Sequence, residues 1–256
     1  MKNRTCEKQH KSLSITKSKS NLSGCCNRRQ FLATTALLSG GAHLLATGNS
    51  FSQVGKNSGE VIRTAPVQIP NASILMRSPN SALFGITADE VIEITYEEVL
   101  KFHGYCGGGT AFAFRMAQEA FKALYGDQLP VRQNIKVQTS HHCCQASALA
   151  YITGARSDFG AFRSQGDLVL IPEEEQKTVF TDKSNGGAVT LNMHFNPHHT
   201  FEPLFKKAMK DPEFAPQVHA ALNEKIHEYL TVPAEKLFTM DTTGLVLPHG
   251  TKTGWE

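Results

Sequence analysis

The sequence predicts an α+β fold: a mixed, mainly antiparallel sheet containing a hairpin, packed against helices. Three observations predict it. Ala113, Met116, Ala117, Ala120, Phe121 and Leu124 recur at helical spacing along one stretch. Ser184-Asn185-Gly186-Gly187 separates two strand-like segments and reads as a hairpin turn. The strand-like segments do not alternate regularly with helices, as the βαβ units of a parallel sheet would.

The charge distribution orders the N-terminal third. The 256 residues carry a formal net charge of +3. Residues 1–30 hold eight Lys/Arg (Lys2, Arg4, Lys8, Lys11, Lys17, Lys19, Arg28, Arg29) against Glu7, a charge of +7, so the other 226 residues carry −4. The body is mildly acidic and shows no basic stripe, so nucleic acid is not an expected partner. Asn27-Arg28-Arg29-Gln30-Phe31-Leu32 looks like a twin-arginine export signal. The apolar run from Phe31 to Gly48 is too short and too rich in Gly, Ser and Thr for a transmembrane helix. Residues 1–48 are therefore expected to be a signal peptide cleaved near Gly48, which places the protein in the periplasm. No cysteine follows the run to take a lipid, so no stable membrane anchor is expected. Cleavage would remove Cys6, Cys25 and Cys26 and leave Cys106, Cys143 and Cys144. That odd number leaves at least one thiol outside any internal disulfide.

Residues 49–90 are dense in Gly, Ser, Asn and Pro and read as a loose linker, with order beginning near Thr87 and the domain proper at 91–256. Thr95-Tyr96-Glu97-Glu98 is a capping-box pattern, starting a helix from Tyr96 to about Phe102. Gly107–Gly109 should interrupt regular structure and let the backbone approach a neighbour closely. A long helix from about Gly109 to Tyr125 follows, stopped by Gly126. Ile135–Gln138 reads as a strand, 143–153 as a helix ended by Gly154, and Leu168–Ile171 and Thr178–Phe180 as strands. Ala188–His194 is the returning strand of the hairpin, ended by Pro197. Phe201–Met209 and Val218–Leu230 read as helices, and Leu237–Met240 as a last short strand.

Two Cys/His clusters carry the chemistry, each opening a helix. The first is Phe102-His103-Gly104-Tyr105-Cys106-Gly107-Gly108-Gly109. Cys106 precedes a helix start, where unpaired N–H groups and the helix dipole favour a thiolate. His103 lies one turn earlier and can reach the same point. A helix-to-helix turn with an incidental buried cysteine is the alternative. The second cluster is His141-His142-Cys143-Cys144, with Cys144 at the next helix start. Neighbouring side chains at a helix start diverge, so Cys144 plus His141 or His142 is the expected contribution, with Cys143 an additional candidate. Zinc accepts such S and N donors tetrahedrally and leaves one position for water or substrate. Nickel, copper or iron can take the same set.

His194, His198 and His199 flank the end of the returning strand. His194 is a further candidate ligand, but Asn196-Pro197-His198-His199 reads more simply as a solvated surface loop. Arg115, on a mostly apolar helix, either steers an anion or pairs with Glu119. There is no Gly-rich phosphate loop with Lys-Ser/Thr, no Gly-x-Ser-x-Gly nucleophile elbow and no Cys-x-x-Cys, and no catalytic residue can be assigned.

Across about residues 95–200 the chain resembles the FmdE family of formylmethanofuran dehydrogenase components. That family shows a Phe-His-Gly-His-x-Cys-Pro-Gly stretch, matched by Phe102 to Gly108, followed by an Arg-bearing helix, matched by Arg115. It then shows a Cys ahead of an Asp-Ala-Ile-Gln-x-Leu-Thr-Gly helix, matched by Cys144 and Ser147 to Gly154. Tyr105, Gly107, Ser147 and Ala150 depart from its His, Pro, Asp and Gln, Ala155 stands where a further cysteine often lies, and the C-terminal zinc ribbon of many members is absent. The resemblance implies an FmdE-like α+β domain binding a metal, zinc foremost, near the two cysteines, and carries over His103, Cys106 and Cys144. It leaves the reaction open. The readings are an accessory of a redox or C1-metabolism system or a metal-dependent enzyme of unknown substrate, a periplasmic metal or metallocofactor carrier or sensor without turnover, and a structural domain with a Cys106–Cys144 disulfide. Expected partners are a metal ion, a small molecule of unspecified kind and a second copy of the chain.

Overall fold

The central element is a helix whose first two turns are buried on every side. In the computed structural model, residues 71–140, 143–160, 163–172 and 175–242 are described, and all lie in one compact unit spanning Ser52–Glu256. The element order is β1 (Ser73–Arg77), α1 (Pro79–Leu83), β2 (Val91–Thr95), α2 (Tyr96–His103), α3 (Gly107–Tyr125), β3 (Ile135–Ser140), α4 (Cys143–Thr153), β4 (Leu168–Ile171), β5 (Lys177–Asp182), β6 (Ala188–Met193), α5 (Pro197–Lys210), α6 (Ala215–Thr231) and β7 (Phe238–Asp241). Short 3₁₀ turns at Pro212–Phe214 and Ala234–Lys236 bracket α6. The fold is α+β, as the sequence predicts. None of the helices among the described residues is long and apolar enough to cross a membrane.

The main sheet has the order β4-β3-β5-β6-β7, with β3 and β4 parallel and every other pair antiparallel. β5 and β6 form the expected hairpin, with Thr181 opposite Ala188. Its turn is closed by Gly186 N–H donating to the Asp182 carbonyl at 2.8 Å and Gly187 N–H donating to the Asn185 side chain at 2.7 Å. Gly186 takes φ 77°, a left-handed conformation that glycine adopts without a Cβ penalty.

Three elements are not marked by the sequence pattern: β1, α1 and β2. Ser73–Arg77, within the expected linker, forms a two-stranded antiparallel sheet with Val91–Thr95. Ile74, Met76 and Ile94 face the core at 6%, 0% and 4% exposure. The dense Gly, Ser and Pro around this strand hide a short alternation of only five residues.

Helix α2 starts as expected: the Thr95 hydroxyl accepts from Glu98 N–H, and the Glu98 carboxylate accepts from Thr95 N–H at 2.8 Å. It ends at Gly104, which is left-handed with φ 72°. Helix α3 packs against α2, α4, α5, α6 and β6. Surrounded this way, every residue from Gly107 to Phe114 is buried. Gly107–Gly109 are its first turn rather than a break before it, so that turn is both regular and nearly free of side chains.

Each glycine admits a different neighbour. A Cβ on Gly107 would stand 2.7 Å from Ile226 Cδ1 of α6, on Gly108 2.0 Å from the Phe201 ring of α5, and on Gly109 2.7 Å from Cys144 Cβ of α4. Three helices thus reach the start of α3 because no side chain stands in their way. Pro197, expected only to end the strand, opens α5 at its first position, where its missing N–H costs no hydrogen bond.

Gly108→Ala should destabilise the fold by about 1–3 kcal/mol, because a buried ring cannot retreat from a Cβ placed against it. Thermal unfolding checks this. Adding Phe201→Ala should make the double variant's loss smaller than the sum of the single losses, since the second change removes the clash.

Candidate metal centre

Four short segments supply the donors. Cys106 is the N-cap of α3, with extended backbone (φ −109°, ψ 100°), and its sulfur accepts from Gly109 N–H at 3.4 Å. Two hydroxyls fix the loop around it. Thr110 Oγ1 lies 3.0 Å from the Cys106 carbonyl and 2.9 Å from the Gly107 carbonyl, and the Tyr96 hydroxyl donates to the Gly107 carbonyl at 2.7 Å. Tyr96 begins α2 and is fully buried, so the capping box of α2 and the start of α3 are tied through one phenol.

Cys143 and Cys144 open α4 directly after β3. Gln145 anchors this turn: its side chain accepts from Ser140 Oγ at the end of β3 and donates to Met193 Sδ at the end of β6. His198 is the second residue of α5, and its N–H donates to the N-cap side chain of Asn196 at 3.0 Å. Its neighbour Phe201 packs against Gly108, which swings the first turn of α5 toward Cys106. His103 is the last residue of α2.

These segments create two donor groups that share one residue. Cys106, Cys144 and His198 place two sulfurs and a ring nitrogen within 4.8 Å of one another, and all three residues are buried. His103, Cys143 and Cys144 place a ring nitrogen and two sulfurs within the same limit. The three described cysteines form no disulfide. Nε2 of His103 is buried with no hydrogen-bond partner among the described residues. A buried nitrogen left unmatched costs free energy, and a metal bond would remove that cost.

Electrostatics act on the two sulfurs in opposite directions. The Cys106 thiol is pulled well below the ordinary thiol range, chiefly because Cys144 S–H donates to it; His198 and Gly109 N–H act in the same direction and outweigh burial. Cys144 is pushed up by giving that hydrogen bond and by the neighbouring Cys143 and its own burial. His198 is raised by its hydrogen bond to Cys106. His103 is lowered by burial, which keeps its imidazole neutral and its lone pair available. Cys106 is thus the readier thiolate of the pair and Cys144 the more tightly protonated thiol, and a cation bound to both would displace that proton.

The expected donors are distributed as follows. Cys106 and Cys144 meet in one group, while His103 meets Cys144 and Cys143 in the other. His141 and His142 lie outside the described residues. His194 is exposed, with Nδ1 3.3 Å from the Lys236 carbonyl, and belongs to neither group. Arg115 pairs with Glu119 at 2.9 Å and donates to the Leu230 carbonyl at 3.4 Å, so it bridges helices rather than facing the sulfurs.

His198, expected on a solvated loop, is buried in the first group. The available signal was Asn196-Pro197, an N-cap followed by an N1 proline. It marks His198 as the second residue of its helix, the same placement that Cys144 occupies in α4.

Fold and site together define an α+β domain with a buried Cys/His cluster able to bind a metal ion. Residues 102–239 match the family model described as "FmdE, Molybdenum formylmethanofuran dehydrogenase operon". That match takes in more than half of the chain, and the chain belongs to this family. Among solved structures it is similar to a tungsten formylmethanofuran dehydrogenase FmdE-like protein from Syntrophus aciditrophicus, at 19% identity over 58% of this chain and 71% of that one, with a TM-score of 0.35. No curated protein matches it.

In the reduced, metal-free protein, one thiol of the buried pair should ionise below the usual thiol range, while its partner stays protonated through that range. Thiolate ultraviolet absorbance against pH measures both steps. His198→Asn should move the first step upward, because it removes the cation that stabilises the Cys106 thiolate.

Proposed function

We propose that this protein is an exported transition-metal-binding protein in which Cys106, Cys144 and His198 hold an ion, with His103 and Cys143 beside them. The observation that carries this reading is the approach of two buried sulfurs and a buried imidazole nitrogen within 4.8 Å. Such a set suits soft or borderline ions, zinc first and nickel or iron next. A bound ion of this kind supplies Lewis acidity at a fourth position, which is what an accessory of a redox or C1-metabolism system or a metal-dependent enzyme needs. The chain's own groups do the positioning. Gly109 N–H donates to the Cys106 sulfur, the helix start of α3 favours its thiolate, and Gln145 holds the turn that carries Cys144.

A second reading, a metal carrier or sensor without turnover, is favoured by one feature. Cys106 and Cys144 are both at 0% exposure, which suits retention of an ion better than exchange of substrate over it. Export rests on Asn27–Leu32 and the apolar run after it.

Protein purified without an affinity tag should carry a stoichiometric transition metal by elemental analysis. Cys106→Ser should lose it, with at least a tenfold weakening on the order known for metal-site substitutions. A metal-free protein with an intact mass lower by two hydrogens would instead support the Cys106–Cys144 disulfide. Replacing Arg28 and Arg29 together by lysine should leave the unprocessed chain in the cytoplasm, read by cell fractionation and the N-terminal sequence of the recovered protein.

A further inference from the structure

The two donor groups do not merge into one. Cys106 and His198 belong to the first, His103 and Cys143 to the second, and Cys144 to both. At ordinary bond lengths the donors on one tetrahedral zinc-like ion stand roughly 3.5–3.8 Å apart, so one ion needs a set that is mutually close throughout. Each group comes within about an ångström of this spacing, at 4.8 Å or less between its atoms. The five donors divide into two such sets rather than forming one.

We propose that the centre is binuclear: Cys144 Sγ bridges two divalent ions, one held also by Cys106 and His198, the other by His103 and Cys143. The proposal rests on the metal-binding reading above and fixes its stoichiometry. A thiolate has lone pairs for two metal bonds, and Cys144 is the sulfur placed for both. It sits against the side-chain-free first turn of α3, where a Cβ on Gly109 would lie 3.0 Å from its Sγ. The second set has its own independent mark. His103 Nε2 is buried without a partner among the described residues, although His103 belongs only to that set. One ion on the first set would leave that nitrogen unmatched.

Each ion would take three protein donors and keep a fourth position. Binding at each set displaces the thiol protons it finds, so two dications take up three thiolates and two neutral imidazoles.

The test uses the full chain, purified anaerobically and equilibrated with excess Co(II). Native mass spectrometry should count two Co(II) per chain. Electron paramagnetic resonance should show a high-spin signal that rises with the first equivalent and falls as the second binds, because ions sharing one sulfur couple magnetically. His103→Asn and Cys143→Ser should each reduce the count from two to one and restore the uncoupled signal, and His198→Asn should do the same from the other side. Saturation of the unaltered chain at one Co(II) would overturn the binuclear centre while leaving the metal-binding reading intact. So would two Co(II) whose signals simply add, which excludes a shared sulfur. No bound Co(II) would overturn the metal-binding reading itself.

Discussion

The structure depends on the bare first turn of α3. Three successive glycines there are contacted by three helices, and each contact is closer than any side chain would permit: Ile226 at Gly107, Phe201 at Gly108, Cys144 at Gly109. These are packing contacts, but their consequence is chemical. They draw the first turns of α4 and α5 onto the cap of α3, and those turns carry Cys144 and His198 toward Cys106. A helix start with side chains would hold the same donors apart by a methyl group or more.

Convergence of helix starts also explains how so polar a cluster tolerates burial. Moving thiols and imidazoles out of water is costly unless partners replace the water. Here the Gly109 N–H, the sulfur-to-sulfur hydrogen bond and the His198 ring supply part of that replacement. The remainder falls on proton affinity: Cys106 is drawn down by its hydrogen bonds, Cys144 driven up, and His103 lowered by burial. Opposed shifts on adjacent sulfurs mark Cys106 as the readier thiolate and Cys144 as the thiol that keeps its proton. A divalent ion between them satisfies both sulfurs at once.

Much of this was legible in the sequence where local chemistry decides the outcome. The capping box at Thr95–Glu98, the stops at Gly126 and Gly154 and the hairpin turn at Asn185-Gly186 all act within a few residues, and each stands where the pattern puts it. The pairing of Ser73–Arg77 with Val91–Thr95 was not legible, because a five-residue strand among turn-forming residues is fixed by its partner rather than by its own pattern. The same holds at the site. Residue types identify Cys106 and Cys144, but the sharing of donors between two groups depends on which way each first turn faces. The polar Asn-Pro-His-His pattern points His198 to solvent, whereas Phe201, three residues on, inserts at Gly108 and carries His198 inward. The charge of Arg115 stands out on an apolar helix, and a neighbour one turn along the same helix answers it.

Membership of the FmdE family fixes the framework without fixing a reaction, so function rests on the sulfur-rich centre alone. X-ray absorption at the K-edge of the metal in the purified protein addresses that centre most directly. The expected result is two sulfur neighbours per ion at about 2.3 Å and nitrogen at about 2.0 Å. An edge spectrum fitted by oxygen and nitrogen alone would contradict it, because it would place the ion away from Cys106 and Cys144.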